Sequence, residues 1–306
     1  MSAFDAYCAL QGMLEGAAYV DEPMARHTSY RIGGPADLFV ECATVHDLTE
    51  TFATLGKWGL PWVIVGKGSN LLVSDAGFRG AVVTLGRQFK SLTLPDEHAE
   101  SGRLVAGGGV LLPNLVQSSF KNGLSGFEFA VGIPGTLGGA LAMNAGSAEE
   151  WIGSKVATLT VVRPGEGLVR YYAEQLAWDY RSAGLPGGEV IVECELKVNR
   201  GNTAQIRARM EGVMNRRKKT QPLTKPSAGS VFRNPPKARA GQLIESVGLK
   251  GYTVGGAQVS ELHANFIINN GSATATDVVA IIMEIRRRVK EEHGTELQPE
   301  IRFLGF

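Results

Sequence analysis

The sequence has little that suits an exported, membrane-bound or nucleic-acid-binding protein. Its three cysteines, Cys8, Cys42 and Cys194, are odd in number and far apart, which is typical of reduced thiols and not of a disulfide framework. The net charge of +1 argues against a general nucleic-acid or membrane-surface binder. The N-terminal residues do not have the pattern of a signal peptide, and no apolar run is long enough to cross a bilayer. We therefore expect a cytoplasmic protein.

Several common kinds of functional site are also missing. The five histidines are isolated, and no pair has the spacing of metal ligands, so we expect no metal site. The phosphate-loop pattern G-x-x-x-x-G-K-[ST] does not occur. The dinucleotide pattern G-x-G-x-x-G fails after Gly66, because Leu71 stands where the third glycine belongs.

Glycine, in contrast, is abundant and is concentrated in two stretches. Residues 131–146 contain five glycines and no charged residue. Glycine costs backbone entropy, so such a run indicates a backbone that approaches a ligand closely, such as a phosphate or a flat ring. A tight turn or a packing seam of small residues is the alternative. Residues 66–70, G-K-G-S-N, follow a short apolar strand and suit either a phosphate cradle or a hairpin turn.

Hydrophobic periodicity predicts a mixed α+β or α/β chain with a break near residues 200–202. Capping boxes are predicted at Thr44 with Asp47 and at Thr274 with Asp277. A long helix over residues 203–219 ends in basic residues, which form either a solvated face or an anion-binding surface. Among the predicted strands are residues 36–42, 62–65, 189–198, 252–259 and 297–304.

Three polar residues stand in unusual settings. Ser230 lies in A-G-S-V-F, where it is either a turn residue or, if the fold supplies a base, a nucleophile. Arg181 lies in D-Y-R-S and suits recognition of a carboxylate or phosphate, because its planar guanidinium binds two oxygens at once. A surface ion pair with Asp179 or Glu174 is the alternative. Glu300 begins a strand, where it is either an edge charge or a cleft carboxylate.

Eight segments of the chain follow the order found in one flavoenzyme family. They are RIGGPADLFV, VGKGSNLLVSD, GFEFAVGIPGTLGGALAMNAG, DYRS, PSAGSVFRNP, AGQLIESVGLKG, HANFIIN and LQPEIRFLG. With these motifs, spread between residues 25 and 306, the chain resembles the UDP-N-acetylenolpyruvoylglucosamine reductases, which complete UDP-N-acetylmuramate synthesis for peptidoglycan.

The resemblance implies an α+β fold in three segments. Residues 1–88 and 89–200 would be two subdomains of an FAD-binding domain of the vanillyl-alcohol-oxidase (PCMH) type, and residues 201–296 a substrate-binding domain. The C-terminal strand, residues 297–306, would return to the first subdomain. The short run between Arg181 and Glu189 leaves little room for an extra substrate-clamping loop, so the chain resembles the second of the two family types.

The resemblance also places FAD on the two glycine stretches. The implied cofactor-binding residues are Gly66, Lys67, Gly68, Ser69, Asn70, Leu71 and Ser74 around the pyrophosphate, and Gly132, Ile133, Pro134, Gly135, Thr136, Gly138, Gly139, Ala140, Asn144 and Gly146 around the flavin and its diphosphate. Neither stretch contains His or Cys, the usual sites of covalent flavin attachment. We therefore expect non-covalent FAD.

The same motif matches imply the chemistry. NADPH reduces FAD, and the reduced flavin N5 delivers hydride to C3 of the enolpyruvyl group. Ser230 then supplies a proton to C2, while Arg181 and a protonated Glu300 stabilise the enolate-like intermediate. Substrate contacts are implied for Arg217, Asn234 and His263, and His263 falls where some members carry glutamine.

No separate nicotinamide-binding motif is present, which favours one pocket that NADPH and UDP-N-acetylglucosamine enolpyruvate occupy in turn. We expect a monomer or weak oligomer that binds neither nucleic acid nor membranes. Two other functions stay open at this point: a different flavin oxidoreductase of the same fold, acting on an alcohol or sugar, and a non-catalytic sugar-nucleotide-binding protein. The presence of Ser230, Arg181 and Glu300 beside the two glycine stretches argues against the non-catalytic protein.

Overall fold

The computed structural model describes residues 3–96, 98, 100–147 and 149–306. Its helices, in chain order, are α1 Ala3–Leu10, α2 Val45–Lys57, α3 Leu112–Lys121, α4 Leu137–Ala142, α5 Thr203–Thr220, α6 Ala240–Ser246 and α7 Ala275–His293. Its strands are β1 Ala17–Pro23, β2 Pro35–Cys42, β3 Trp62–Ile64, β4 Leu71–Val73, β5 Phe78–Leu85, β6 Leu92–Thr93, β7 Ser101–Gly107, β8 Leu124–Ser125, β9 Val156–Arg163, β10 Gly167–Tyr172, β11 Val190–Arg200, β12 Thr253–Val254, β13 Ala257–Val259, β14 Ile267–Asn269 and β15 Arg302–Leu304. None of the described helices combines the length and the apolar composition that a membrane crossing needs.

The chain forms two compact units. Unit 1 contains Met1–Val20, Leu38–Gly66 and Gly80–Asn215, and unit 2 contains Asp21–Asp37, Lys67–Arg79 and Arg216–Phe306. Four of the five boundaries therefore fall inside β1, β2, β5 and α5, and the fifth falls between Gly66 and Lys67, in the loop that joins β3 to β4. The three-segment division that the resemblance implies cuts the chain at other positions and stays a prediction.

Unit 1 is built on a six-stranded antiparallel sheet with the order β10-β9-β11-β7-β6, in which β8 pairs with the end of β11. Strand β11 buries Val192, Cys194, Leu196 and Val198, as its alternating pattern predicts. Strands β9 and β10 form an antiparallel hairpin. The apolar face of α5 packs against the same core through Met210, Val213 and Met214.

A second core of unit 1 packs helix α2 against strands β2 and β5. The apolar face of α2 buries Leu48, Phe52 and Leu55. Strand β3 pairs in parallel with β5. Thr44 caps α2 by accepting a hydrogen bond from the Asp47 backbone N–H at 3.1 Å, as predicted.

The reciprocal half of that predicted capping box is wrong. The carboxylate of Asp47 instead accepts hydrogen bonds from the backbone N–H groups of Ala43 (2.8 Å), Gly16 (2.9 Å) and Glu15 (3.1 Å), and from the hydroxyl of Thr44 (2.9 Å). Burial opposes ionisation of this carboxyl group, but these four donors outweigh burial and lower the pKa of Asp47. Asp47 therefore joins the N-terminal segment to the start of α2.

Unit 2 has its own core around helix α7. The helix buries an apolar stripe that consists of Val278, Ile281, Ile282, Ile285 and Val289. It begins at the predicted capping box and ends at Gly294, which has the left-handed φ of +64°. A three-stranded antiparallel sheet, β12-β13-β14, packs beside it. Strand β15 pairs in parallel with β4, so the chain's last strand lies beside the strand that follows the first glycine loop.

Two predicted strands are shorter or divided in the structure. The apolar run at residues 252–259 forms a hairpin of β12 and β13, because Gly255 takes a left-handed φ of +52° and reverses the chain. The run at residues 297–304 is a strand only over Arg302–Leu304. Pro299 has no backbone N–H to donate to a neighbouring strand, and it forms an isolated β-bridge with Phe232.

Replacing Asp47 with asparagine is expected to lower the free energy of unfolding by about 1–3 kcal/mol at neutral pH, because buried donors lose a charged acceptor. The native pKa of Asp47 lies below its ordinary value of 3.8, so this advantage of the wild type is complete above that value and is lost as the pH falls through the native pKa. Urea unfolding of the wild type and the variant across an acid pH series measures this difference in the free energy of unfolding. Glu50→Gln, on the same helix, is the control. An advantage that does not change with pH would contradict this account.

Candidate functional site

The first glycine loop, residues 66–70, approaches other backbone very closely. A Cβ atom on Gly68, whose φ is +56°, would lie 2.3 Å from the carbonyl oxygen of His27. A Cβ atom on Gly66 would lie 2.4 Å from Oγ1 of Thr136, in the second glycine stretch. Within the part of the chain that the structure describes, the backbone N–H groups of Gly66, Lys67 and Gly68 have no hydrogen-bond partner. These N–H groups are donors of the kind that bind phosphate oxygens.

The second glycine stretch, residues 131–146, contains helix α4. Thr136 caps this helix by accepting from the Gly139 N–H at 3.3 Å. The N–H of Gly138 donates to the carbonyl of Gly108 at 2.8 Å, and a Cβ atom on Gly138 would lie 3.0 Å from that oxygen. The alternative of a packing seam therefore accounts for Gly138. Gly139 differs, because it is exposed and has only Thr136 Oγ1 near, 3.4 Å from where its Cβ would lie.

The structure brings Ser230 and Glu300 onto adjacent segments of unit 2. The N–H of Glu300 donates to the carbonyl of Val231, the residue after Ser230, at 2.7 Å. Both Ser230 and Glu300 are half-buried. Asn70, from the glycine loop, donates through Nδ2 to the carbonyl of Glu300 at 3.1 Å, and its own carbonyl accepts from the N–H of Arg302 at 2.9 Å. Three residues from distant parts of the sequence therefore meet here.

Asn265 holds the Ser230 segment in place, and the sequence reasoning missed it. Its Oδ1 accepts from the Phe232 N–H at 2.9 Å, and its Nδ2 donates to the Phe232 carbonyl at 2.8 Å. Its own carbonyl accepts from the Val231 N–H at 2.9 Å. The signal in the sequence was an amide side chain inside the apolar motif HANFIIN, because a buried amide needs partners.

Arg181 belongs to unit 1 and is half-buried. It lies in a tight turn closed by two hydrogen bonds between the backbones of Asp179 and Ser182, at 3.0 and 3.1 Å, and its φ is +59°. Its guanidinium group lies 4.9 Å from the ring centre of Tyr180. Its Nη1 donates to the carbonyl of Gly146 at 3.4 Å, which brings Arg181 to the end of the second glycine stretch.

The three predicted substrate contacts all lie in unit 2. Arg217 is half-buried near the end of α5, where burial lowers its pKa, and its Nη1 donates to Gln221 at 3.4 Å. Asn234 is exposed, and its Oδ1 accepts from the first N–H of α6, that of Ala240, at 3.0 Å. His263 accepts from the N–H of Asn265 through Nδ1 at 3.2 Å, and burial lowers its pKa.

Comparison with known proteins identifies the family. The model described as "UDP-N-acetylenolpyruvoylglucosamine reductase, C-terminal domain" matches residues 221–304, and the model "FAD binding domain" matches residues 36–170. A UDP-N-acetylenolpyruvoylglucosamine reductase from Heliobacterium modesticaldum is 46% identical over 286 residues, which cover 93% of this chain and 90% of that protein. This chain belongs to the UDP-N-acetylenolpyruvoylglucosamine reductase family.

Other members of the family are similar to this chain in sequence and in structure over nearly its whole length. The reductase from Geobacter metallireducens is 44% identical over 299 residues, or 98% of both proteins. The crystal structure of the Thermus caldophilus reductase has a TM-score of 0.80 and 34% identity, and the match covers 95% of this chain and 99% of that one. These findings confirm the resemblance, the α+β fold with an FAD-binding domain, the assignment as an oxidoreductase, and FAD as cofactor.

The unpartnered N–H groups at residues 66–68 fit the phosphates of that cofactor. The roles of the individual site residues stay predictions.

Gly68→Ala is expected to reduce bound FAD and the thermal unfolding midpoint, because the added Cβ would press the loop against the backbone of His27. Gly248→Ala is the matched control, since Gly248 has a φ of +71° but no atom within 4 Å of its Cβ position. Both variants incur the left-handed backbone cost of about 1–2 kcal/mol. The measurements are the ratio of flavin to protein and the unfolding midpoint. Equal behaviour of the two variants would refute a special constraint at Gly68.

Proposed function

We propose that this protein catalyses the NADPH-dependent reduction of UDP-N-acetylglucosamine enolpyruvate to UDP-N-acetylmuramate. The observation that carries the proposal is the meeting of Ser230, Glu300 and the glycine-loop residue Asn70 in a member of this reductase family. In the proposed reaction Ser230 would be the proton donor, Glu300 would provide a carboxyl group, and the loop that contains Asn70 would bind phosphate. We also propose that the protein acts in the cytoplasm as a monomer or weak oligomer.

FAD, when bound, supplies the hydride that NADPH provides for C3 of the enolpyruvyl group. The residues that would hold it are those of the two glycine stretches. The N–H groups of Gly66, Lys67 and Gly68 would donate to its phosphate oxygens. Gly139, which is exposed and has no side chain, would allow close approach of the backbone to the cofactor.

The charge that develops on the substrate determines what the protein must stabilise. As the C2–C3 π bond breaks and a C3–H bond forms, negative charge moves onto C2 and the adjacent carboxylate. The guanidinium of Arg181 would bind that carboxylate through two parallel hydrogen bonds. A protonated Glu300 would donate a further hydrogen bond to the same charge. Preorganised donors of this kind stabilise a transition state without having to reorient during the reaction.

The remaining step is the transfer of one proton to C2. Ser230 would donate its hydroxyl proton as the C2–H bond forms, and solvent would then return a proton to the serine oxygen. A serine hydroxyl is a weak acid, so it suits only a strongly basic carbanionic centre. This requirement explains why the reaction uses no histidine as its acid.

The rest of the substrate would bind to the remaining residues of unit 2. Arg217 stands at the basic end of α5 and would bind the diphosphate of the uridine nucleotide. Asn234 and His263 would contact the substrate through polar groups that their structural hydrogen bonds leave available. NADPH and the substrate would take turns in one pocket, which gives ping-pong kinetics.

Ser230→Ala is expected to leave flavin reduction by NADPH unchanged and to slow flavin reoxidation by the substrate by about 10²–10⁴-fold, the usual range for a lost general acid. Stopped-flow absorbance measures the two half-reactions separately. Ser227→Ala, three residues earlier in the same loop, is the control and should leave both rates intact. Equal loss of both half-reactions in Ser230→Ala would remove Ser230 from the role of proton donor.

Denaturation is expected to release all of the flavin as free yellow chromophore, because neither glycine stretch offers a His or Cys for covalent attachment. Filtration of the unfolded protein, with absorbance read on both fractions, measures this. Flavin that remains with the protein fraction would show a covalent bond elsewhere in the chain.

A further inference from the structure

Asn144, at the end of the second glycine stretch, connects three segments of unit 1. Its Oδ1 accepts from the N–H of Gly153 at 3.1 Å, and its Nδ2 donates to the carbonyl of Asp179 at 3.0 Å. Its own backbone N–H donates to the carbonyl of Leu141 at 2.9 Å. The residue is only 8% exposed. Both the oxygen and the nitrogen of its side-chain amide therefore form hydrogen bonds within the protein.

The backbone of Asn144 is also constrained. Its φ of +40° is left-handed, a conformation that asparagine tolerates better than most residues other than glycine. Gly153, its partner, is packed so closely that a Cβ atom there would lie 2.5 Å from the Trp178 ring and 2.8 Å from Oδ1 of Asn144. The neighbourhood of this amide is therefore closely packed, and its position is narrowly defined.

Asp179 is the first residue of the turn that carries Arg181. Two backbone hydrogen bonds between Asp179 and Ser182 close that turn. A hydrogen bond from Asn144 to the carbonyl of Asp179 therefore fixes the position of the whole turn. The guanidinium of Arg181 contacts the carbonyl of Gly146, two residues after Asn144. The same short segment therefore holds the turn at its backbone and contacts the arginine at its charged end.

We propose that Asn144 is a positioning residue for Arg181 and that its side chain does not bind the cofactor. This inference rests on the proposed function for the role of Arg181. The hydrogen bond from Asn144 to the carbonyl of Asp179, called the tether below, is a property of the fold. With the turn released, Arg181 would keep its charge but lose its fixed direction, because its own φ of +59° is strained and needs support from its surroundings. Small displacements of a positioning group cost about 10–100-fold in rate.

The test uses Asn144→Gly in the FAD-loaded enzyme, because glycine accepts the left-handed φ and so only the two side-chain hydrogen bonds are lost. We expect an unchanged ratio of FAD to protein, unchanged flavin reduction by NADPH, and reoxidation by substrate that is slower by about 10–100-fold. Asn144→Asp keeps an acceptor for Gly153 but loses the donor to Asp179, and it should show the same pattern. Asn202→Ala, which removes an asparagine that accepts from Ala204 at the start of α5, is the control and should change neither rate.

A double-mutant cycle separates positioning from general damage. In an Arg181→Ala background, Asn144→Gly should have little further effect on reoxidation, since the group it positions is gone. The same fold loss in both backgrounds would overturn the proposal, as would a fall in bound FAD, which would assign Asn144 to the cofactor.

Limited trypsin digestion tests the tether without using the reaction. Cleavage after Arg181 should become faster in Asn144→Gly, relative to cleavage at other sites, and should not change in Asn202→Ala. Unchanged cleavage after Arg181 would overturn the tether. A wild-type protein inactive with the enolpyruvyl substrate would refute the proposed function and leave this digestion result standing.

Discussion

The hydrogen bond from the Glu300 N–H to the Val231 carbonyl joins the segment just before the last strand, β15, to the loop that carries Ser230. Two amide side chains flank this contact. Asn265 pairs with both backbone groups of Phe232, and Asn70 fixes the carbonyl of Glu300. Because a buried amide without partners is costly, each of these side chains permits only a narrow range of backbone positions. The backbones of the proposed acid and of its neighbouring carboxyl residue are therefore held by these contacts.

In unit 1, too, an asparagine amide binds backbone groups, here next to Arg181. There one asparagine amide connects the glycine-rich segment to the turn that carries the arginine. The glycine stretch that dominates the sequence thus has two tasks. Gly138 allows backbones to approach each other within the protein, whereas Gly139 leaves space at the surface. No side chain of this stretch is assigned a role in proton transfer.

Much of the fold follows from local rules that the sequence displays. The sequence shows the capping box of helix α7 and the alternating pattern of strand β11, and both were predicted correctly. The prediction failed where a distant partner decided the outcome. Asp47 belongs to a local capping pattern, yet its carboxylate binds the N–H groups of residues 15 and 16. The residues implied for the site came from the resemblance, whereas the support that Asn265 gives to the Ser230 segment depends on tertiary contacts that periodicity does not contain.

The central claim is that this family member reduces an enolpyruvyl ether of a sugar nucleotide. The most direct measurement mixes the FAD-loaded protein with NADPH and UDP-N-acetylglucosamine enolpyruvate, follows NADPH absorbance, and weighs the product by mass spectrometry. The account predicts one NADPH consumed for each substrate molecule, and a product heavier by two hydrogen atoms. NADPH consumption that does not depend on the enolpyruvyl substrate, or a substrate of unchanged mass, would contradict it.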